Sequence, residues 1–110
     1  MRYLYKEKLK AFYNEDNSLI LGKLCENYHG NLPTTTKESW QEEIETMKQV
    51  VSQYIEDDGQ LILEYNIPRL SKRVDTILLL KGIIFCIEFK TGKEKEEDCA
   101  EQHPPYPLQR

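Results

Sequence analysis

Asp75, Glu88 and Lys90 are ionisable side chains set among the apolar residues of 73–90, a stretch that otherwise reads as a buried hairpin. Two runs rich in Ile, Leu and Phe are separated by Lys81-Gly82, a spacing that predicts a short hairpin loop. If that loop holds only these residues, Leu80 faces Ile83, and the same register carries Asp75 directly opposite Glu88. Opposed positions have Cβ atoms about 4.5–5.5 Å apart, where like charges destabilise a sheet unless something positive lies between them. A divalent cation meets that need. Along the second run, Ile84, Cys86, Glu88 and Lys90 share one face, and Ile83, Phe85, Ile87 and Phe89 share the other. Glu88 and Lys90 therefore point the same way. Carboxylates on adjacent strands suit Mg²⁺, a hard ion held by one or two carboxylates with water and substrate phosphate. A lysine beside it would orient or help deprotonate a water. The alternative is a salt-bridged surface patch, in which a slip of register separates Asp75 from Glu88 and Lys90 neutralises one of them.

A further acid comes from the segment 36–55, which reads as a long helix with Thr residues as caps at its start and an Asp57-Asp58-Gly59 turn after its end. Trp40, Ile44, Met47, Val51, Tyr54 and Ile55 recur at helical spacing and fall within a stripe about 100° wide, which should face the core. Glu42 and Glu45 lie on the opposite side. Glu43 instead lies between Trp40, Met47 and Val50, on the edge of the apolar face. A carboxylate bordering a core is costly unless paired or metal-bound, so Glu43 is expected to point toward Asp75 and Glu88. The alternative is a Glu whose stem covers the rim of the core while its head stays in water.

These residues resemble the PD-(D/E)XK phosphodiesterase superfamily, whose pattern is a helix-borne Glu, an Asp on one strand, and Glu-x-Lys on the next. The matching positions are Glu43, Asp75 and Glu88-Phe89-Lys90, with Val74 where the family often has proline. The run 64–69 (Glu-Tyr-Asn-Ile-Pro-Arg), with Lys72-Arg73-Val74-Asp75 and Ile87-Glu88-Phe89-Lys90, is similar to the nuclease-like domain that precedes a helicase module in some bacterial proteins. Residues 20–24 and 40–44 share that similarity, which covers 1–93. The resemblance implies a restriction-endonuclease-like core, a central mixed sheet flanked by helices, and metal-dependent hydrolysis of a nucleic-acid phosphodiester, with DNA the expected substrate. It further implies that Asp75 and Glu88 hold Mg²⁺ (or Mn²⁺), that Glu43 binds it directly or through water, and that Lys90 positions the attacking water. Glu64 reads either as an extra ligand or as a solvent-facing strand residue.

The family pattern continues with a helix carrying Gln and Tyr and a further parallel strand. Here 94–110 is a charged and then Pro-rich tail, in which Pro104, Pro105 and Pro107 would interrupt a helix. A nuclease-like domain without those elements would serve binding or assembly instead of cutting. Its uncovered sheet edge would favour a homodimer, or a helicase partner in trans.

With 110 residues, 39% of them hydrophobic, the chain can build one modest core. No apolar run approaches the roughly 20 residues of a membrane span, and the first ten residues are too charged for a signal peptide, so a cytoplasmic location is expected. Cys25, Cys86 and Cys99 are too far apart for a zinc site, and Cys86 is expected to fill core volume. His29 and His103 read as loop or surface residues. The net charge of −4 argues mildly against strong nucleic-acid binding. Arg69, Lys72 and Arg73 nevertheless flank Asp75, and Lys90, Lys93 and Lys95 follow it, so that a phosphate backbone would be steered locally. Alternatively these are solvated turn charges balanced by Glu94, Glu96, Glu97 and Asp98.

The remaining pattern predicts two short helices, one from Leu4, Leu9 and Phe12, the other from Leu19, Leu21, Leu24 and Cys25. Loops are expected at 14–18 and 30–36, and a strand at 61–67 ended by Pro68. The fold class is α+β, helices first and strands after, with at least the last two strands antiparallel.

Overall fold

The computed structural model describes residues 2–70 and 72–89. Its element order is β1 (Tyr5–Lys8), α1 (Leu9–Asn14), α2 (Asn17–Asn27), α3 (Thr34–Val51), β2 (Gly59–Ile67), β3 (Lys72–Leu80) and β4 (Ile83–Ile87), with a 3₁₀ turn at Pro68–Leu70 between β2 and β3. The architecture is α+β. The strands form a four-stranded sheet in the order β1-β2-β3-β4, and every pairing in it is antiparallel. The sheet among the described residues is therefore antiparallel throughout, where a mixed sheet was expected. A parallel strand would have to come from the tail, which lies outside the described residues.

The predicted hairpin is present in the predicted register: Leu80 pairs with Ile83 and Thr76 with Ile87. Lys81 and Gly82 both take positive φ, 55° and 77°, which matches the right-handed twist of the flanking strands in a two-residue loop. Even-numbered residues of β3 (Val74, Thr76, Leu78 and Leu80) are buried toward the helices, while Ile77 and Leu79 lie half-buried on the other side. Period-two alternation thus decides which charged groups can meet the helices.

Helix α3 presents Trp40, Glu43, Ile44, Met47 and Val51 as its buried stripe. Each large apolar side chain on it contributes about 1.5–3 kcal/mol relative to exposure. The core they enter also contains Leu9 and Phe12 of α1, Ile20 and Leu24 of α2, and Leu61, Leu63, Leu78 and Leu80 of the sheet. The helix ends at Val51, earlier than the apolar spacing through Ile55 predicts, because Tyr54 N–H and Asp57 N–H bond back three residues and tighten the chain into turns. Pro33 occupies the position before the first turn and no Thr side chain caps it.

The largest departure is at the start of the chain. Tyr5–Lys8 is a strand on the edge of β2, with Tyr5 opposite Leu63 and Lys8 opposite Gln60. Helix begins only at Leu9. The Tyr5 hydroxyl donates to Glu15 Oε1 at 2.6 Å and Lys23 Nζ lies 2.7 Å from Glu15 Oε2, which ties β1, the α1–α2 turn and α2 together. Burial opposes ionisation of Glu15, but the Lys23 ammonium and the Tyr5 hydroxyl outweigh it and hold the carboxyl below its ordinary range. Cys86, expected in the core, is exposed, because β4 is the outer strand and its alternate face has no helix against it. Among the described residues no helix is long and apolar enough to cross a membrane.

Two glycines separate packing from propensity. A Cβ on Gly59 would run into the Leu79 backbone carbonyl and lie 3.0 Å from Leu9 Cδ1, whereas one on Gly22, inside α2, would meet nothing within 4 Å. Urea unfolding should show Gly59→Ala destabilised by about 2 kcal/mol or more. Gly22→Ala should be stabilised by about 0.5–1 kcal/mol. Equal responses at the two positions would contradict the close β2–β3 approach.

Candidate functional site

Carboxylates from four elements converge to different degrees on the centre of the sheet. The register that pairs Leu63 with Thr76 and Tyr65 with Val74 sets Glu64 abreast of Asp75, and the β3–β4 register, continued one step past Thr76 and Ile87, sets Asp75 abreast of Glu88. Strict alternation would keep Glu64 on the side away from the helices. Its φ of +58° interrupts the pleat, however, and Leu63 and Glu64 are buried consecutively. A non-glycine residue with positive φ is uncommon in a strand and points to a local constraint.

Glu43 reaches down from α3 to the same place. It is 3% exposed and Glu64 is 6% exposed, which makes them the most deeply buried acids among the described residues. Glu43 Oε2 accepts a 2.6 Å hydrogen bond from the hydroxyl of Thr76, a residue with no exposed surface. Glu64 and Asp75 lie near enough to Glu43 for their charges to oppose its ionisation, and Trp40 is among the groups that ease that of Glu64. The nearest guanidinium, that of Arg73, lies 3.7 Å from Glu64 Oε1. Asp75 is half-buried, and its Oδ2 accepts the Phe89 backbone N–H at 2.8 Å, which fixes the chain just after β4.

Both buried acids hold their protons more tightly than usual. For Glu43 burial is the main cause, opposed by the Thr76 hydroxyl and reinforced by the charges of Glu64 and Asp75, and its pKa is pushed up to about 9. For Glu64 burial again leads and Asp75 adds to it, while Arg73, Trp40 and Glu43 oppose, leaving a pKa of about 7. Because each charge acts on the other, the two titrate as a pair, and the upward direction belongs to the pair.

Of the residues picked out in the sequence, Glu43 and Glu64 lie buried near each other, while Asp75, on the β3 face turned from the helices, acts on both only through its charge. Glu88 stands exposed one residue past β4. No three His, Cys, Asp or Glu side chains among the described residues are grouped so as to hold a metal ion. Arg69, Lys72 and Arg73 are exposed around the β2–β3 turn. Lys90 and Lys93 lie outside the described residues. Thr76 was not anticipated, although a lone hydroxyl in the inward series Val74, Thr76, Leu78, Leu80 is a signal for it.

No family model matches the chain, and neither a curated protein nor a solved structure matches it.

The raised pKa values of Glu43 and Glu64 fix a sign. Both carboxyls have folded pKa values above the ordinary 4.5, so unfolding releases protons and stability falls as pH rises from about 4.5 toward about 9. The slope is about 1.4 kcal/mol per pH unit for each proton released. Glu43→Gln, which retains a neutral hydrogen-bonding group, should flatten this decline in chemical denaturation at pH 6, 7, 8 and 9. A decline as steep as in the parent protein would contradict the assignment.

Proposed function

We propose that the chain is a metal-dependent nuclease-type domain that hydrolyses phosphodiester bonds of nucleic acid, with DNA the expected polymer and Mg²⁺ or Mn²⁺ the ion. The observation that carries this reading is the burial of two acids, Glu43 and Glu64, near the strand position of Asp75, with Arg73 3.7 Å from Glu64. Packing alone gives no reason for buried acids, since apolar side chains of similar volume fill a core at least as stably. Oxygen donors of this kind fit a hard divalent cation in their chemistry. No three of them are grouped around one point among the described residues, so the ligand set follows the resemblance: Asp75 and Glu88 would hold the ion, with Glu43 bound directly or through water and Glu64 as an extra ligand. When bound, the ion supplies Lewis acidity toward the phosphate and lowers the pKa of a water.

The chain's own residues would do the rest. Thr76 holds the Glu43 carboxyl toward the strands, and the Phe89 N–H holds that of Asp75. Arg69 and Lys72, exposed beside the site, would bind backbone phosphate and orient the strand. Lys90 and Lys93 enter by sequence position: Lys90 would orient the attacking water and offset charge developing on the phosphate, and Lys93 would add to the phosphate contacts. A buried helix-borne Glu above the strand that carries Asp75 supports the PD-(D/E)XK resemblance, and a restriction-endonuclease-like core is part of the same proposal.

One observation favours a second reading, in which the domain binds or assembles without cutting. The outer strand exposes Ile83, Ile84 and Phe85 at 55%, 67% and 42%. Such an apolar edge is normally covered.

Incubation of the purified protein with single- and double-stranded DNA in Mg²⁺ or Mn²⁺ distinguishes the two. Cleavage should be abolished by EDTA and reduced about a hundredfold or more in folded Asp75→Asn and Lys90→Ala proteins. Absence of cleavage by well-folded parent protein would remove the nuclease reading and leave the second.

A further inference from the structure

Behind the buried carboxylates lies a cavity of ≈ 140 Å³, walled by Arg2, Leu4, Asn27, His29, Glu64, Asn66 and Arg73 among others. Its position follows from backbone pairing at the open edge of β2. Asn66 N–H donates to the Arg2 carbonyl at 2.6 Å and Leu4 N–H to the Leu63 carbonyl at 3.2 Å, so the segment before β1 runs beside the residues that flank Glu64. Asn27, at the end of α2, donates its side-chain amide to the Leu4 carbonyl at 2.8 Å and closes the cavity from the helix side. The guanidinium of Arg73 lies over the Tyr28 ring, 5.7 Å from its centroid, and makes only a long 3.7 Å contact with Glu64. A guanidinium has five N–H donors, so most of those on Arg73 remain for another acceptor.

The lining is that of an anion site. Arg2 and Arg73 are cationic, while Asn66 and His29 can donate hydrogen bonds. The facing acid, Glu64, is held toward its neutral form by burial and opposes an anion less than a free carboxylate would. A volume of ≈ 140 Å³ is about that of five waters, enough for one phosphate group and too little for a nucleotide. A strand passing through would need a groove. We propose that this cavity binds the terminal phosphate monoester of a nucleic-acid strand, through Arg2 and Arg73. The inference rests on the nuclease reading for its substrate class and names the part of the substrate recognised, a phosphorylated strand end. Glu64 is then the common wall between the end-binding cavity and the carboxylate site.

The test is fluorescence anisotropy of the full 110-residue chain in EDTA, so that binding is read without cleavage. The probes are otherwise identical oligonucleotides ending in 5′-phosphate, 3′-phosphate or hydroxyl, and inorganic phosphate serves as competitor. One phosphorylated probe should bind about tenfold or more tightly than the hydroxyl probe. Comparison of the 5′ and 3′ probes identifies which end is held, and inorganic phosphate should displace the preferred one. Arg2→Gln and Arg73→Gln should each reduce the preference, and since Arg2 lies at the exposed edge, its variant guards against a folding defect in the other. Equal affinity for all three probes would overturn the proposal, as would a preference that survives both substitutions. Cleavage of DNA without end preference would remove the cavity's role and leave the nuclease reading intact. Preference without cleavage would do the reverse.

Discussion

A single hydrogen bond, from the Thr76 hydroxyl to the Glu43 carboxyl, joins the middle of the long helix to the middle of the sheet. Removing a carboxyl from water is costly unless its hydrogen-bonding capacity is met. The surroundings follow from meeting that demand. Thr76 must sit on the inward series of β3, Glu43 must fall on the apolar stripe of α3, and Glu64 leaves the pleat of β2 to lie buried near it. Hydrophobic packing alone would allow α3 to slide or rotate over the Leu61, Leu63, Leu78 and Leu80 surface, whereas directional bonds between buried polar groups specify one arrangement.

The same constraint divides the sheet into two regions with different chemistry. At the Leu80 end, around the Lys81-Gly82 turn, the strands are apolar and the outer strand is exposed. At the Val74 end, the acids lie abreast, basic residues surround the β2–β3 turn, and the cavity holding Arg2 and Arg73 opens behind Glu64. Charges that would repel one another in isolation are therefore concentrated at one end of the sheet. The positive φ of Glu64 turns one of them from an outward strand position inward.

The parts legible in the sequence were those governed by short-range rules. Residues Lys81-Gly82 between apolar runs specify the hairpin register without reference to anything distant. Glu43 was recognisable because helical periodicity put an acid where an apolar residue belongs. Strand β1 was not, since Leu4, Leu9 and Phe12 also suit a helix and only the free edge of β2 selects the extended form. The burial of Glu64 was hidden for a related reason: neither Gly nor Asn marks its left-handed backbone, which is imposed by the helix above and the strand beside it. Cys86 was misplaced because a run of apolar residues does not reveal whether both faces of its strand will be covered.

If the buried acids exist to receive a cation, an ion entering the site must displace the protons that burial keeps on Glu43 and Glu64. Isothermal titration of Mg²⁺ into the protein at pH 8, in two buffers of different ionisation enthalpy, measures affinity and proton release together. Saturable binding with release of about one proton per ion, lost in Glu43→Gln, is the predicted result. Binding without proton release, or no binding by folded protein, would contradict the assignment of Glu43 and Glu64 as cation ligands.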